Sequence, residues 1–151
     1  MRILSRGLLL VVLGAAPAAA TDQADVMAPV YQFIDGFNKG DVKSAVAACA
    51  DQASIIDEFA PYEWHGAAAC PQWAAAFDAD AKKNGITSGA VTLGKPRHVD
   101  ITGDHAYVVV PTDYAFKQKG KSVKEKGSTL TVALQKEAAG WRITAWTWSK
   151  H

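Results

Sequence analysis

The chain has 151 residues, 49% of them hydrophobic, with 16 basic and 15 acidic side chains and a formal net charge of +1. That length suits one domain with a real core, and not two. So balanced a charge gives no electrostatic reason to expect nucleic acid or an anionic membrane as partner.

Taken in chain order, the first segment reads as targeting rather than fold. Met1 to Arg6 hold two arginines and no acid, and Leu8 to Leu13 are apolar. Ala18-Ala19-Ala20 then offers the small residues a signal peptidase prefers. The apolar run falls short of the roughly 20 residues that a bilayer span needs. Residues 1–20 are therefore expected to be a cleaved export signal, leaving residues 21–151 as a single domain, periplasmic or secreted. Losing Arg2 and Arg6 leaves 14 basic against 15 acidic side chains and a net charge of −1. An oxidising compartment lets Cys49 and Cys70 form a disulfide, which would contribute roughly 3 kcal/mol in the chain-entropy model. The alternative is two buried thiols acting as small hydrophobes.

Val26, Met27, Val30, Phe33, Ile34 and Phe37 recur at helical spacing, and Gly40 stops the run. Pro29 then belongs in the first turn. Asp41 is the expected N-cap of a short second helix running through Cys49. Next comes a strand-like run, Ala53 to Phe59, with Asp57 inside it. Pro61 breaks the chain, and Trp64-His65-Gly66 forms a loop before a third helix from about Ala68 to Lys83. Cys70 and Pro71 fit its first turn. Trp73 and Phe77 lie one turn apart on its apolar face, and Gly85 ends it.

From Ile86 the pattern is that of strands. Ala90 to Ile101 reads as one strand interrupted at Gly94-Lys95-Pro96. His105 to Lys117 and Ser122 to Lys136 read as a long hairpin about Gly120, and Trp141 to Ser149 as the last strand. Lys117, Lys119, Lys121, Lys124 and Lys126 flank Gly120 as a solvated hairpin tip. Helices followed by antiparallel strands indicate an α+β domain: a cone-shaped half-barrel with three N-terminal helices packed on one face of a curved, mostly antiparallel sheet. Leu130, Val132 and Leu134 alternate with Thr129, Thr131 and Ala133, while Trp146 and Trp148 oppose Ile143, Ala145 and Thr147. Neither face is charged, so a homodimer through the sheet is the expected cover for the face without helices, the alternative being a monomer with a wetted threonine face.

This order of elements, and several short motifs, resemble the nuclear transport factor 2-like superfamily, in particular its SnoaL-like and ketosteroid isomerase-like branches. Asn38-Lys39-Gly40-Asp41 is similar to the family's junction of first and second helices, and the run from Ala50 to Asp57 to its first strand. His65-Gly66 is similar to a motif before the third helix, and Gly140-Trp141-Arg142-Ile143 to the start of the closing strand. The resemblance covers nearly all of residues 22–151. It implies that Asp57 stands at the position of the isomerase's general base and that Trp148 lines the pocket. It also places Phe33 where the family has an oxyanion-binding tyrosine, Cys49 at a supporting tyrosine, and Thr129 or Thr131 at a protonated acid. Losing an oxyanion donor typically costs about 10²–10³ in rate, so steroid isomerase activity is not expected.

The candidate site therefore centres on Asp57, with Ile55, Ile56 and Phe59 to keep it dry. The alternative is an outward Asp57 with Glu58 facing in. Asp113, beside Tyr114, is the second catalytic candidate, and Asp57 with Asp113 or Tyr114 is the expected pair. Phe33, Trp64, His65, Trp73, Phe77, Tyr114 and Trp148 are the expected pocket lining, though the aromatics could equally be plain core. His65 could instead cap the third helix or hold the Trp64 loop, and His98 and His105 flank strand ends at the surface. No histidine pair has metal-ligand spacing, and no catalytic triad order, phosphate loop or cofactor fingerprint is present, so neither metal nor cofactor is expected. Three functions fit: an exported domain binding a small apolar molecule, a cofactor-free isomerase, cyclase or dehydratase using Asp57 as base, or a non-catalytic structural or interaction subunit whose cavity its own aromatics fill.

Overall fold

The computed structural model describes the backbone of residues 17–151 and side chains from Asp22 onward. The expected export signal lies outside the described residues except for its last four, whose backbone belongs to the first helix. That helix, α1, spans Pro17–Lys39 and buries Val26, Met27, Val30, Phe33 and Ile34. Pro29 therefore sits in its interior and not in its first turn. The alanine-rich stretch before it extends the helix backwards, and a proline inside costs one backbone hydrogen bond. Gly40, at φ 69°, ends α1, and the Asp41 N–H closes onto the Gly36 carbonyl at 2.8 Å.

Asp41 caps α2 (Val42–Val46) by accepting the Ser44 N–H at 3.0 Å. This helix stops short of Cys49, which instead opens β1 (Cys49–Ile56). Pairing with a distant partner takes the chain out of the helix. Cys49 is in register with Ile143 of the last strand, and the Ile143 N–H donates to the Ala48 carbonyl at 3.0 Å. The segment expected to be a loop before the third helix holds a short strand, β2 (Glu63–Gly66), antiparallel to β1 with Trp64 opposite Ile55. The third helix, α3 (Ala69–Asn84), ends in a left-handed Gly85. A disulfide joins Cys49 to Cys70 and ties the start of β1 to the first turn of α3.

The stretch expected as one interrupted strand is two, β3 (Ile86–Leu93) and β4 (His98–Thr102). Both pair with β5 (His105–Gln118), Leu93 opposite Thr112 and His98 opposite Val109. With β6 (Lys121–Glu137) and β7 (Gly140–Ser149) they make one sheet in the order β2-β1-β7-β6-β5-β3, with β4 also on β5. Only β1 and β7 run parallel, so the curved sheet is mixed but mostly antiparallel, with the helices on one face.

A register shift between Ala133 and Leu134 decides which residues of β7 face the core. Val132 opposes Trp146 and Leu130 opposes Trp148, but Leu134 opposes Ile143. Ile143 is therefore on the same face as both tryptophans, contrary to strict alternation. The extra residue is Thr144, whose Oγ1 donates to the Ala133 carbonyl at 3.2 Å. Leu130, Val132, Leu134, Ile143 and Trp146 are all buried beneath the helices. Thr129, Thr131, Ala133, Ala145 and Thr147, on the other face, stay partly open.

Candidate functional site

Asp57 follows the last residue of β1 rather than lying within the strand. A tight turn holds it there: its N–H donates to the Tyr62 carbonyl at 3.0 Å, and the Tyr62 N–H to the Phe59 carbonyl at 2.9 Å. Its carboxylate faces inward, where Oδ2 accepts the indole N–H of Trp73 at 2.8 Å and Oδ1 the backbone N–H of Glu58 at 2.7 Å. Burial pushes its pKa up from an ordinary 3.8 to about 6, against the opposing pull of the Trp73 and Glu58 hydrogen bonds. The charge of Glu58 adds to the rise, and that of Lys150 opposes it.

The carboxylate borders a hollow of about 70 Å³. Phe33, Ile34 and Phe37 on α1 form one wall, and Trp73 and Phe77 on α3 another. Tyr114, Leu130, Trp146 and Trp148 rise from the sheet as its floor. The rings hold one another edge to face: Trp73 meets Trp146 at 4.9 Å and 89°, and Phe37 meets Phe77 at 5.0 Å and 68°. For scale, an engineered cavity of about 150 Å³ holds benzene, so this hollow takes a head group and not a polycyclic ligand. A wider space of about 440 Å³ shares Phe37, Trp73, Phe77 and Tyr114 with it as a common wall, but is lined otherwise by the α1–α2 junction and the start of β3. Of the two, the smaller holds Asp57, and it is the candidate site.

At the rim, Glu58 pairs with Lys150 at 3.0 Å, and that hydrogen bond raises the lysine's pKa. Burial pushes the Tyr114 phenol up to about 12, helped by the negative charges of Glu125, Glu58 and Asp57. A Cβ on Gly89 would come within 2.5 Å of the Tyr114 hydroxyl, so only glycine lets the phenol lie there. That hydroxyl and the Trp146 indole N–H are both buried without a hydrogen-bond partner among the described residues.

Several expected site residues lie elsewhere. Asp113 is turned away from the cavity: it accepts the Gly127 N–H at 3.1 Å and pairs with Lys124 at 3.6 Å, beside an irregularity in the β5–β6 pairing. An Asp57–Asp113 pair is thereby excluded, while Tyr114 does share the cavity wall with Asp57. Trp64 is buried behind Phe59, ring centroids 5.2 Å apart, and does not line the hollow. Strand alternation then sends its neighbour His65 outward, exposed beside Ser54 and Glu63, where it neither lines the cavity nor caps α3. Asp57 and Glu58 are not alternatives, since both border the hollow.

Phe33, Trp73, Phe77, Tyr114 and Trp148 line the cavity. Phe59, expected to keep Asp57 dry, lines it too, whereas Ile55 and the exposed Ile56 do not; Phe37 and Trp146 were not anticipated there, yet two signals pointed to them. Phe37 lies one helical turn from Phe33, and Trp146 one strand period from Trp148. The positions that the resemblance assigns to oxyanion binding offer no donor. Phe33 has none, Cys49 is in the disulfide, and Thr129 and Thr131 flank the inward Leu130 on the outer face. Among the described residues no three His, Cys, Asp or Glu side chains are grouped to hold a metal ion.

A family model described as a SnoaL-like domain matches residues 26–150. No curated protein matches the sequence. Among solved structures, a ketosteroid isomerase-like protein from Erwinia carotovora atroseptica is similar at 18% identity and a TM-score of 0.67, covering 85% of this chain and 95% of its own. A nuclear transport factor 2-like superfamily protein from Salmonella enterica Typhimurium superposes with a TM-score of 0.73 at 15% identity, covering 88% of this chain and 93% of that one. A nuclear transport factor 2-like protein with a cystatin-like fold from Novosphingobium aromaticivorans gives 0.68 at 18% identity, covering 87% and 83%. At such identities the likeness is one of fold.

Proposed function

The chain belongs to the SnoaL-like domain family, and from that premise we propose that it is an exported domain holding a small hydrophobic molecule in the Asp57 cavity. One observation carries this reading: an aromatic hollow with a single mostly buried carboxylate at its edge, already oriented by the Trp73 N–H. Rings and branched chains supply the apolar burial that dominates affinity in such pockets, and the carboxylate fixes orientation. Native mass spectrometry of protein purified without added ligand tests it. A co-purifying small molecule, or quenching of the cavity tryptophans by small apolar ligands, is the expected result. A clean mass together with no thermal shift across a broad ligand panel would count against it, and would favour a structural subunit.

A second reading has its own observation. An aspartate whose pKa lies at about 6 is poised to accept a proton from carbon near neutral pH, as a cofactor-free isomerase, cyclase or dehydratase requires. What weighs against it is the lack of a donor at the positions where the resemblance expects one. Asp57→Asn separates the two: an enzyme keeps binding and loses turnover, whereas a binder has no turnover to lose and keeps the affinity that apolar burial supplies.

Export and dimerisation complete the proposal. The signal-like residues 1–20 and the disulfide support a periplasmic or secreted location, which N-terminal sequencing of the mature protein checks. The uncharged outer face around Thr131, Ala145 and Thr147 supports a second copy of this chain as its cover. Thr131→Glu is expected to halve the mass seen by sedimentation; an unchanged monomer mass in the parent protein would rule the dimer out.

A further inference from the structure

We propose that the molecule held in the Asp57 cavity carries a positively charged, alkylated nitrogen, seated among the aromatic rings with Asp57 as its counter-charge. This deepens the binding reading and rests on it. The two oxygens of Asp57 take hydrogen bonds from Trp73 and from the Glu58 backbone, both neutral donors. Among the described residues the ammonium at the rim is Lys150, and it is committed to Glu58 at 3.0 Å. Glu125, opposite Tyr114 across the β5–β6 pair, adds a buried carboxylate oxygen without a hydrogen-bond partner among the described residues. Two carboxylates, Asp57 and Glu58, thus border the aromatic hollow, and among the described residues Lys150 is the ammonium paired at its rim.

An anion withdrawn from water needs a counter-charge, and a neutral ligand leaves that need unmet. A cation meets it twice, because the faces of aromatic rings carry negative potential that attracts positive charge within about 6 Å of the centroid. Trp73, Trp146, Trp148 and Phe77 present such rings to this space. The hollow is about half the size of a benzene-holding cavity, so the alkylated nitrogen is seated at its mouth beside Asp57 and Glu58 with only part of its methyl groups inside. The apolar rings that line most of the hollow favour an alkylated nitrogen, which sheds water easily, over a strongly hydrated primary ammonium.

Choline and its neutral isostere 3,3-dimethylbutan-1-ol, titrated at low salt against intrinsic tryptophan fluorescence, test the inference. Choline is expected to bind at least tenfold tighter, with the ratio falling to about threefold or less in Asp57→Asn, the scale of a desolvated cation–π and charge contact. Glu58→Gln, at the rim, frees Lys150 to repel the cation and is expected to weaken choline more than the alcohol. If the alcohol binds as tightly as choline, the charged class is wrong and the binding reading stands. If neither quenches, the charged class falls, and the binding reading is then decided by the native mass and the broad ligand panel. A choline advantage that survives both variants unchanged would overturn the role given to Asp57.

Discussion

The inner face of the sheet is packed differently at its two ends. At one end Ala106, Leu134 and Ile143 share a row and are buried at 7% exposure or less, and α1 buries Val26, Met27 and Val30 ahead of its cavity-lining turns. At the other, Phe33, Phe37, Trp73, Phe77, Tyr114, Trp146 and Trp148 surround a hollow with an acid at its edge. Branched aliphatic chains interlock to near-crystalline density. The rings at the other end, meeting tilted or edge to face, leave a hollow of about 70 Å³ between them. The first end secures the fold, and the second gives up packing for a space that a ligand can occupy.

The sharpest test of that contrast is Leu134→Ala. It removes a fully buried side chain from the solid end and is expected to cost about 2–5 kcal/mol, read as a shift of the urea midpoint, without changing ligand quenching. The disulfide comes next. Replacing Cys49 and Cys70 by alanine is expected to cost about 3 kcal/mol and to loosen the first turn of α3, which carries Trp73 towards Asp57. Equal midpoints with and without reductant would show that the bond constrains neither end.

Asp57 supplies a pH test of the hollow end. Its pKa is raised on folding, so the neutral form is the one the fold favours. Its burial therefore costs nothing below about pH 4, and destabilises progressively as the pH rises through about 6. The charges that act on it are those of Glu58 and Lys150, with Glu125 and Tyr114 close by. Asp57→Asn removes the penalty, and at pH 8 is expected to gain on the order of 2 kcal/mol relative to the parent, an advantage that disappears at pH 4. An advantage independent of pH would mean that burial does not perturb this carboxyl. Phe77→Leu is expected to have the smallest effect, about 1 kcal/mol, because a hollow already lies against the ring, and to shift ligand preference towards larger molecules. Should it cost as much as Leu134→Ala, the two ends are packed alike and the contrast fails.

Much of the framework was legible from short-range signals. The hairpin about Gly120, α3 with its Gly85 stop, and the Asp41 cap depend on residues a few positions apart, and their chemistry is unambiguous. The short strand β2 and the break between β3 and β4 were not, because each owes its state to pairing with a partner strand. Among site residues, Phe33, Trp73, Phe77, Tyr114 and Trp148 followed from period and resemblance. Trp64, His65 and Asp113 were misplaced by one strand position or one irregularity in pairing.

Local order thus determined the elements, the apolar stripes, the solvated lysine tip and the supply of aromatic rings. It left open which of Asp57, Glu58 and Asp113 would be drawn into the interior. Tertiary pairing made that choice. The parallel docking of β1 on β7 ends β1 just before Asp57, the turn to Tyr62 points the carboxylate inward, and the Gly127 N–H holds Asp113 away. The physical reason is the two-residue period of a strand: a single extra residue, as at Thr144, moves every later side chain to the other face, and only the partner strands decide where it is inserted.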